Sequence, residues 1–459
     1  MLASRQSAAG VIIVRTAIIR TMVLLCAVAF VALAPVPARA SAPDTDGDGC
    51  SDAQELASVK ALGGQRNPLN PLDFADLDGD RVISILDLAR EAQSFGRAPV
   101  APAKDFDGDG VVSILDLVRM AGQFGDSCAV TPRTYAMGWG PTPPVFTTAS
   151  ILATVQAMSS VSEYALIQRE VPWAQLLAGA TMQQLLDTDR PFIDLLRTLG
   201  MKIVYLVDPL DGLDRRKEPP PLVAAGRSLL EPQILAIHEA WVRAVAQRFR
   251  PEYFGLASEI NSLAAHGNPA LYSAIVGMVN TLTPDIHTLD PGAKVFVSFQ
   301  MEDAWQLPGF PASPVDQFKL IGDFNIDALG LSSYPSFQFA HPSAIPANYY
   351  QRFAQATSLP LIQVEGGWSS AVSAWGGGTP VDQAMYFARI GALLDGVRAK
   401  LWVMLFYADL NLADPSWNVP PDRQAILQNF ATMGITNTAL APKPAYWDWK
   451  RLFERPLLP

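Results

Sequence analysis

From Pro132 onward, short apolar runs alternate with helical stretches, and eight such runs fit the available length. They are Thr134–Met137, Tyr164–Gln168, Lys202–Val207, Tyr253–Ala257, Lys294–Phe299, Asp327–Ser332, Pro360–Val364 and Lys400–Phe406. The helical pattern between them is clearest over Glu231–Arg248 and Val381–Ala399. The second of these opens with Asp382, an acid in the first turn, where the helix dipole favours it. Strand followed by helix, eight times over, restricts the chain to a parallel sheet covered by helices. Such a sheet either closes into a (β/α)8 TIM barrel or stays open and doubly wound. An open sheet should carry a Gly-rich phosphate loop after its first strand, and no such loop follows Met137. The expected fold class is therefore α/β, with a TIM barrel over residues 132–459.

Two of the eight runs end alike. Tyr253-Phe254-Gly255-Leu256-Ala257-Ser258-Glu259 and Pro360-Leu361-Ile362-Gln363-Val364-Glu365 each deliver a glutamate at the C-terminal end of a strand. Chemistry in a (β/α)8 barrel sits at that end, and by count these are the fourth and seventh strands. A protonated carboxyl and a carboxylate about 5 Å apart are what a retaining glycosidase uses. Mutual repulsion between two such groups raises the pKa of one of them. Either glutamate alone could merely meet solvent at a strand end; the matching design of the two favours a pair. Further acids follow other strands, namely Glu170, Asp208, Asp211, Glu302 and Asp303, and these suit hydrogen bonding to sugar hydroxyls. Aromatics also follow predicted strands, at Trp139, Trp173, Trp305, Trp368 and Tyr407. They could stack on sugar rings or cap the barrel core. His238, His266, His287 and His341 show no metal-ligand spacing, and no Ser/His/Asp arrangement stands out.

Acids closing strands four and seven resemble the pattern of the clan A glycoside hydrolases, and residues 132–456 resemble that clan throughout. The resemblance implies Glu259 as acid/base and Glu365 as nucleophile. It also implies a hydrogen bond to the nucleophile from Tyr334, in Leu331-Ser332-Ser333-Tyr334-Pro335; Trp139, Trp368 and Tyr407 are expected as substrate contacts from their place after predicted strands. One position departs. The clan usually has Asn immediately before the acid/base, to hold the sugar 2-hydroxyl, and here that position is Ser258, with Asn261 two residues after Glu259. Either Asn261 compensates for Ser258, or the contact is missing and the substrate or even the activity differs.

Between the N-terminal segment and the barrel lie three Asp-rich loops. The first carries Asp44, Asp46, Asp48 and Glu55, the second Asp76, Asp78, Asp80 and Asp87, the third Asp105, Asp107, Asp109 and Asp116. These are positions 1, 3, 5 and 12 of a twelve-residue calcium loop, which supplies oxygen ligands from those side chains. Ile83 and Val112 at position 8 would anchor loops two and three to a small core. Those two loops form a repeat, each followed by a helical run that ends on Phe-Gly, at Phe95-Gly96 and Phe124-Gly125. The duplicated loop-helix over residues 73–128 resembles the dockerin module, an EF-hand-like calcium domain. The first loop, within residues 44–72, resembles the calcium repeats of thrombospondin type 3. The dockerin resemblance implies bound Ca2+ and a cohesin partner recognised through Ile85-Leu86 and Ile114-Leu115. Those pairs could instead be internal core or dock onto the protein's own barrel. Arg81 departs from the Gly usual at position 6.

Residues 1–40 read as an export signal, with Arg5, Arg15 and Arg20 before the apolar run Met22–Pro35 and a cleavage site at Ala38-Arg39-Ala40. An uncleaved anchor is the alternative, because Val11–Val14 extends the apolar region upstream. Removal of the signal leaves Cys50 and Cys128, an even count in an oxidising compartment, and they are expected to pair. A net charge of −10 argues against nucleic acid or an anionic membrane as partner. The expected protein is a secreted, retaining glycoside hydrolase of polysaccharide with a calcium-binding attachment module and no cofactor for catalysis. The alternative is a catalytically inactive carbohydrate-binding or cell-surface structural barrel.

Overall fold

A computed structural model of the 459-residue chain describes residues 45, 50–57, 66–69, 74–77, 82–97, 105–106, 109–128 and 132–458. Residues 1–40, read as the export signal, lie outside these, as do the expected calcium ligands Asp44, Asp46, Asp48, Asp78, Asp80 and Asp107. The described chain falls into two compact units, residues 134–446 and a smaller one of residues up to 133 together with 447–458. Residues 447–458, counted above with the barrel, thus group with the small unit. Among the described residues no helix is long and apolar enough to cross a membrane.

The small unit contains helices α1 (Asp52–Ala57), α2 (Ile85–Ala92) and α3 (Ile114–Gly122). Helices α2 and α3 start in the same way. Ser84 and Ser113 cap them, and Asp87 and Asp116 reach back to the cap N–H at 2.7 Å in both cases. The second oxygen of each aspartate accepts from the second residue of its own loop, Leu77 N–H at 2.8 Å and Phe106 N–H at 2.7 Å. Each repeat then closes the other. Ile83 exchanges backbone hydrogen bonds with Gly125 and Asp126 (2.7 and 2.8 Å), and Val112 does the same with Gly96 and Arg97 (2.8 and 3.0 Å). Both Ile83 and Val112 are fully buried. The core is small: Ala75, Ile83 and Met120, with Phe74, Leu77, Leu88 and Phe106 packed against it. Cys50 and Cys128 form a disulfide across 78 residues, and the Arg66 guanidinium lies over the Phe74 ring. Ile85, Leu86, Ile114 and Leu115 are exposed at equivalent places in the two repeats, so none of them is core of this unit.

The large unit is a closed barrel of eight parallel strands in sequence order. They are β1 (Ala136–Trp139), β2 (Tyr164–Glu170), β3 (Lys202–Asp208), β4 (Tyr253–Gly255), β5 (Lys294–Gln300), β6 (Ala328–Ser333), β7 (Leu361–Gly366) and β8 (Leu401–Met404), with β8 pairing back to β1. Its interior is filled by Ala136, Tyr164, Leu166, Val204, Leu206, Phe296, Ala328, Ile362, Val364, Leu401 and Val403. Alternation along β1 therefore turns Met137 and Trp139 outward, towards the helices. The longer of two helices after β3 is α4 (Pro232–Phe249), the first of two after β4 is α5 (Ile260–His266), and that between β7 and β8 is α6 (Pro380–Gly396). Helix α6 is started by Thr379 and Asp382 as a capping box. Burying an aliphatic or aromatic side chain stabilises by roughly 1.5–3 kcal/mol, so this interior is a large source of the barrel's stability.

Candidate active site

Glu259 and Glu365 reach the barrel mouth by different local devices. The backbone after β4 stays paired with β5 through Ala257, and then Glu259 takes a left-handed conformation, φ 48° and ψ 38°, as the residue before α5. A non-glycine residue in this region costs of order 1–3 kcal/mol and is held by its surroundings. Here the hold comes from Ser298 on β5. Its hydroxyl accepts the Glu259 N–H at 2.9 Å and lies 3.2 Å from the hydroxyl of buried Ser258. On β7 the device is a bulge. Leu331 pairs with Gln363 but Ser332 pairs with Glu365, so Val364 is an extra residue. Strict alternation would send Glu365 to the opposite face from Ile362 and Val364; the extra residue re-aims it.

The end of β6 and the residue that follows it hold both carboxylates. Ser332 Oγ donates to Glu259 Oε1 at 2.6 Å, and the Tyr334 hydroxyl donates to Glu365 Oε1 at 2.6 Å. Glu365 and Tyr334 are buried, and Glu259 is half-buried. Burial, and next the negative charge of Glu365, push the Glu259 carboxyl up to about 7, against the opposing effects of Arg215 and the Ser332 hydrogen bond. Tyr334 is raised well above an ordinary phenol by burial and then by Glu365, so it is a donor at any working pH.

The cation of the mouth is Arg215, buried in the loop after β3. Its Nε lies 3.2 Å from Asp208 and one Nη donates to the Asp211 carbonyl at 2.8 Å. Burial disfavours its charge, but Asp208, and after it Glu365, Glu259 and Glu170, offset this and raise its pKa. Asp208 itself is pushed up to about 6 by burial, which Arg215 counteracts. Asp211 is paired with Arg423 at 2.8 Å, and Glu170 accepts the Gly212 N–H at 3.3 Å. Glu302 is buried and raised by that burial, and it accepts from Tyr349 (2.5 Å), Gln300 (2.6 Å) and Ser333 (3.0 Å). A cavity of about 170 Å3 opens at the same end of the barrel, lined by the Pro141–Pro143 loop, Gln168, Arg169, Asp189 and Leu405. Neither glutamate lines it.

No protein-family model matches the sequence, and no curated protein matches it. Solved structures do. The exo-β-1,4-mannosidase Op5Man5 from Opitutaceae bacterium strain TAV5 superposes with a TM-score of 0.52 at 15% identity, over 71% of this chain and 60% of that one. The chain thus spans less than two thirds of that enzyme's length. A GH5_18 protein from Streptomyces cattleya in complex with GlcNAc gives a TM-score of 0.53 at 15% identity, over 71% and 81% of the two chains. A GH5_18 protein from Bifidobacterium longum gives 0.53 at 14% identity, again over 71% and 81%. The barrel is the fold these structures share.

Several side chains read as mouth residues sit elsewhere. Trp139 packs on Phe387 of α6 and on Tyr407, with ring centroids 6.0 and 5.9 Å apart, and Trp368 packs on Tyr386 of α6 at 5.7 Å. Trp139, Trp368 and Tyr407 are almost wholly buried, which removes them as stacking faces; strand alternation accounts for Trp139 directly. Trp173 packs beside buried His238, and Trp305 lies beside Tyr349 under the guanidinium of Arg352. Asn261 faces inward. Its amide donates to Gln300 O and Gln317 Oε1 and accepts from Gln300 N–H, so it is directed to fixing the β5 end rather than to a ligand. Sequence reasoning missed Arg215, Ser298 and Ser332. Ser332 was reachable, because it shares a face of β6 with Tyr334; Arg215 sits in the charged run Asp214–Lys217, which reads as a solvated turn.

Proposed function

We propose that the barrel is a retaining glycoside hydrolase cleaving O-glycosidic bonds of a polysaccharide, with Glu259 as acid/base and Glu365 as nucleophile. The observation that carries this reading is the double grip at the C-terminal end of β6, Ser332 on one glutamate and Tyr334, just after the strand, on the other. Protonated Glu259 gives its proton to the glycosidic oxygen while a Glu365 oxygen attacks the anomeric carbon. The C–O bond breaks, the aglycone leaves as a neutral alcohol, and the sugar is held as an ester of Glu365. Glu259, now ionised, takes a proton from water, whose oxygen attacks the same carbon and frees Glu365 as carboxylate. The mechanism asks for carboxyl groups about 5 Å apart. Arg215 supplies positive charge beside them, and Tyr334 fixes which Glu365 oxygen is free to attack. The neighbours with mannosidase and GlcNAc in their names make β-linked mannosides, glucosides and N-acetylglucosaminides the first substrates to try. A panel of dyed β-linked polysaccharides, scored for the natural protein and for Glu365→Gln, tests the reading. Release of dye by the first and not the second is expected; no release from any polymer by either contradicts it, and leaves the inactive carbohydrate-binding barrel.

We also propose that the small unit is a dockerin-like calcium module of an exported protein. Its donor sets are all carboxylate, and the buried Asp87 and Asp116 already tie loop starts to helix starts, which fits an oxygen-liganded cation. Ca2+ would be held by Asp76, Asp78, Asp80 and Asp87 in one loop and by Asp105, Asp107, Asp109 and Asp116 in the next, with a further ion at Asp44, Asp46, Asp48 and Glu55. The exposed pairs Ile85-Leu86 and Ile114-Leu115 would face a cohesin-type partner. Calorimetric titration of Ca2+ into the chelator-stripped protein tests this; no binding heat would remove the module from the account.

A further inference from the structure

Of the ten tryptophans, Trp375 alone is exposed, with 47% of its surface open to solvent. An exposed indole in a long loop is ordinarily mobile, yet this one is built in. The backbone N–H of Trp375 donates to Ser373 Oγ and to Asn429 Oδ1, each at 3.2 Å, and the loop folds back through Ser373 N–H to Gly376 O at 2.7 Å. Gly376 and Gly377 have φ of +130° and +121°, and a Cβ at either would lie 2.5 and 2.3 Å from the carbonyl oxygens of Ser336 and Ala371. No other residue permits so tight a turn there. Beneath the indole, Phe337 and Phe430 meet it edge-on, with centroids 5.5 and 5.8 Å away. Both also touch Tyr334, at 5.8 and 5.1 Å, and Tyr334 donates to Glu365. The Trp375 ring, on a backbone pinned by hydrogen bonds, is thereby connected to the nucleophile candidate through Phe337 and Phe430 and then Tyr334.

We propose that Trp375 is a stacking platform for a sugar ring beyond the one attacked, so that this site is built for an oligosaccharide chain rather than a simple glycoside. The C–H face of a pyranose covers an indole much as another apolar ring does, and immobilising the indole in advance removes the entropy cost of ordering it on binding. The inference rests on the glycosidase reading, and its test keeps the two separable. The proteins compared are the natural chain, Trp375→Ala and Trp375→Phe, on mannotetraose and cellotetraose and on the 4-nitrophenyl monoglycosides of the same sugars. The expected result is a tenfold or greater loss of kcat/KM on the active tetraose for Trp375→Ala, carried by KM, with the monoglycoside unchanged and Trp375→Phe restoring most of the loss. Equal effects on both substrate lengths, or none on either, would overturn the proposal. Intrinsic fluorescence of Glu365→Gln protein titrated with the same tetraoses decides the matter even if no hydrolysis is found. A change in emission that Trp375→Ala abolishes supports the platform, and its persistence in Trp375→Ala, or no change at all, rejects it.

Discussion

The barrel and the duplicated small unit fix their carboxylates by opposite means. In the barrel, Glu259 follows β4 and Glu365 lies at the end of β7, over an apolar interior that is already filled, so one strained residue and one bulge can be carried without loss of fold. Among the described residues of the small unit the core cluster is Ala75, Ile83 and Met120 with a few side chains packed on it, and reciprocal hydrogen bonds, two capping aspartates and a disulfide add to it. A large core lets polar groups be arranged for chemistry, whereas a small one needs its polar groups for stability. Charge-removing substitutions should therefore alter activity in one unit and stability in the other.

The largest effect is expected at the pair itself. Glu365→Gln should lower kcat by roughly 10⁴-fold or more and Glu259→Gln by about 10²–10⁴-fold, neither with an unfolding midpoint below that of the natural protein. Activity assays beside thermal melts check this; a melt that collapses with the activity would break the contrast. In the small unit, replacing Cys50 and Cys128 by serine should destabilise by about 4 kcal/mol, following the loop-entropy account for a 78-residue separation. Hydrogen exchange should show the loss in residues 82–128 and not in the strands of the barrel. Asp76→Ala with Asp105→Ala should act in the same place. Asp105 accepts the Asp109 and Gly110 N–H groups at 3.1 and 2.8 Å, so its loss loosens the third loop even before calcium is considered. Removal of calcium by a chelator should reproduce the double substitution and leave hydrolysis nearly unchanged.

The effect of pH is smaller and sharpens the same contrast. Glu259 must be protonated to act as acid, and burial and Glu365 push it up to about 7, so kcat/KM should fall as pH rises through that value. Because the folded pKa lies above the unfolded one, the stabilisation from protonated Glu259 is complete below about pH 4 and is lost as pH rises through about 7. Glu259→Gln should consequently gain stability relative to the natural protein between pH 4 and pH 8, as urea titrations at the two values would show. Ser332→Ala gives the smallest change. It removes the hydrogen bond that lowers the Glu259 pKa, so the alkaline limb of the rate profile should move upward; a limb that stays in place would show that Glu259 does not govern it.

All eight strands were legible in the sequence, and so was the position of Glu259 and Glu365 at the C-terminal side of the fourth and seventh, because a short apolar run leading to Glu is a local pattern. What surrounds the glutamates was not. The outward turn of Trp139 follows from register on β1, which no composition reveals, and Glu365 points inward only because Val364 is bulged. Asn261 lies two residues past Glu259, yet the left-handed turn between strand and helix sends it into the protein. In the small unit the repeat was plain from the Asp spacing, but the cross-pairing of Ile83 with Gly125 and of Val112 with Gly96 is a long-range relation invisible to any window of sequence.

The central claim is that Glu365 carries the sugar during turnover. The 2-deoxy-2-fluoro glycosyl fluoride of whichever sugar the panel identifies should inactivate the protein by trapping that ester. Peptide mass mapping of the inactivated protein should place the added fluorosugar on Glu365, within the stretch Leu361–Gly366. An active protein that resists the reagent, or a label on Glu302, Asp208 or any other carboxylate, would contradict the account.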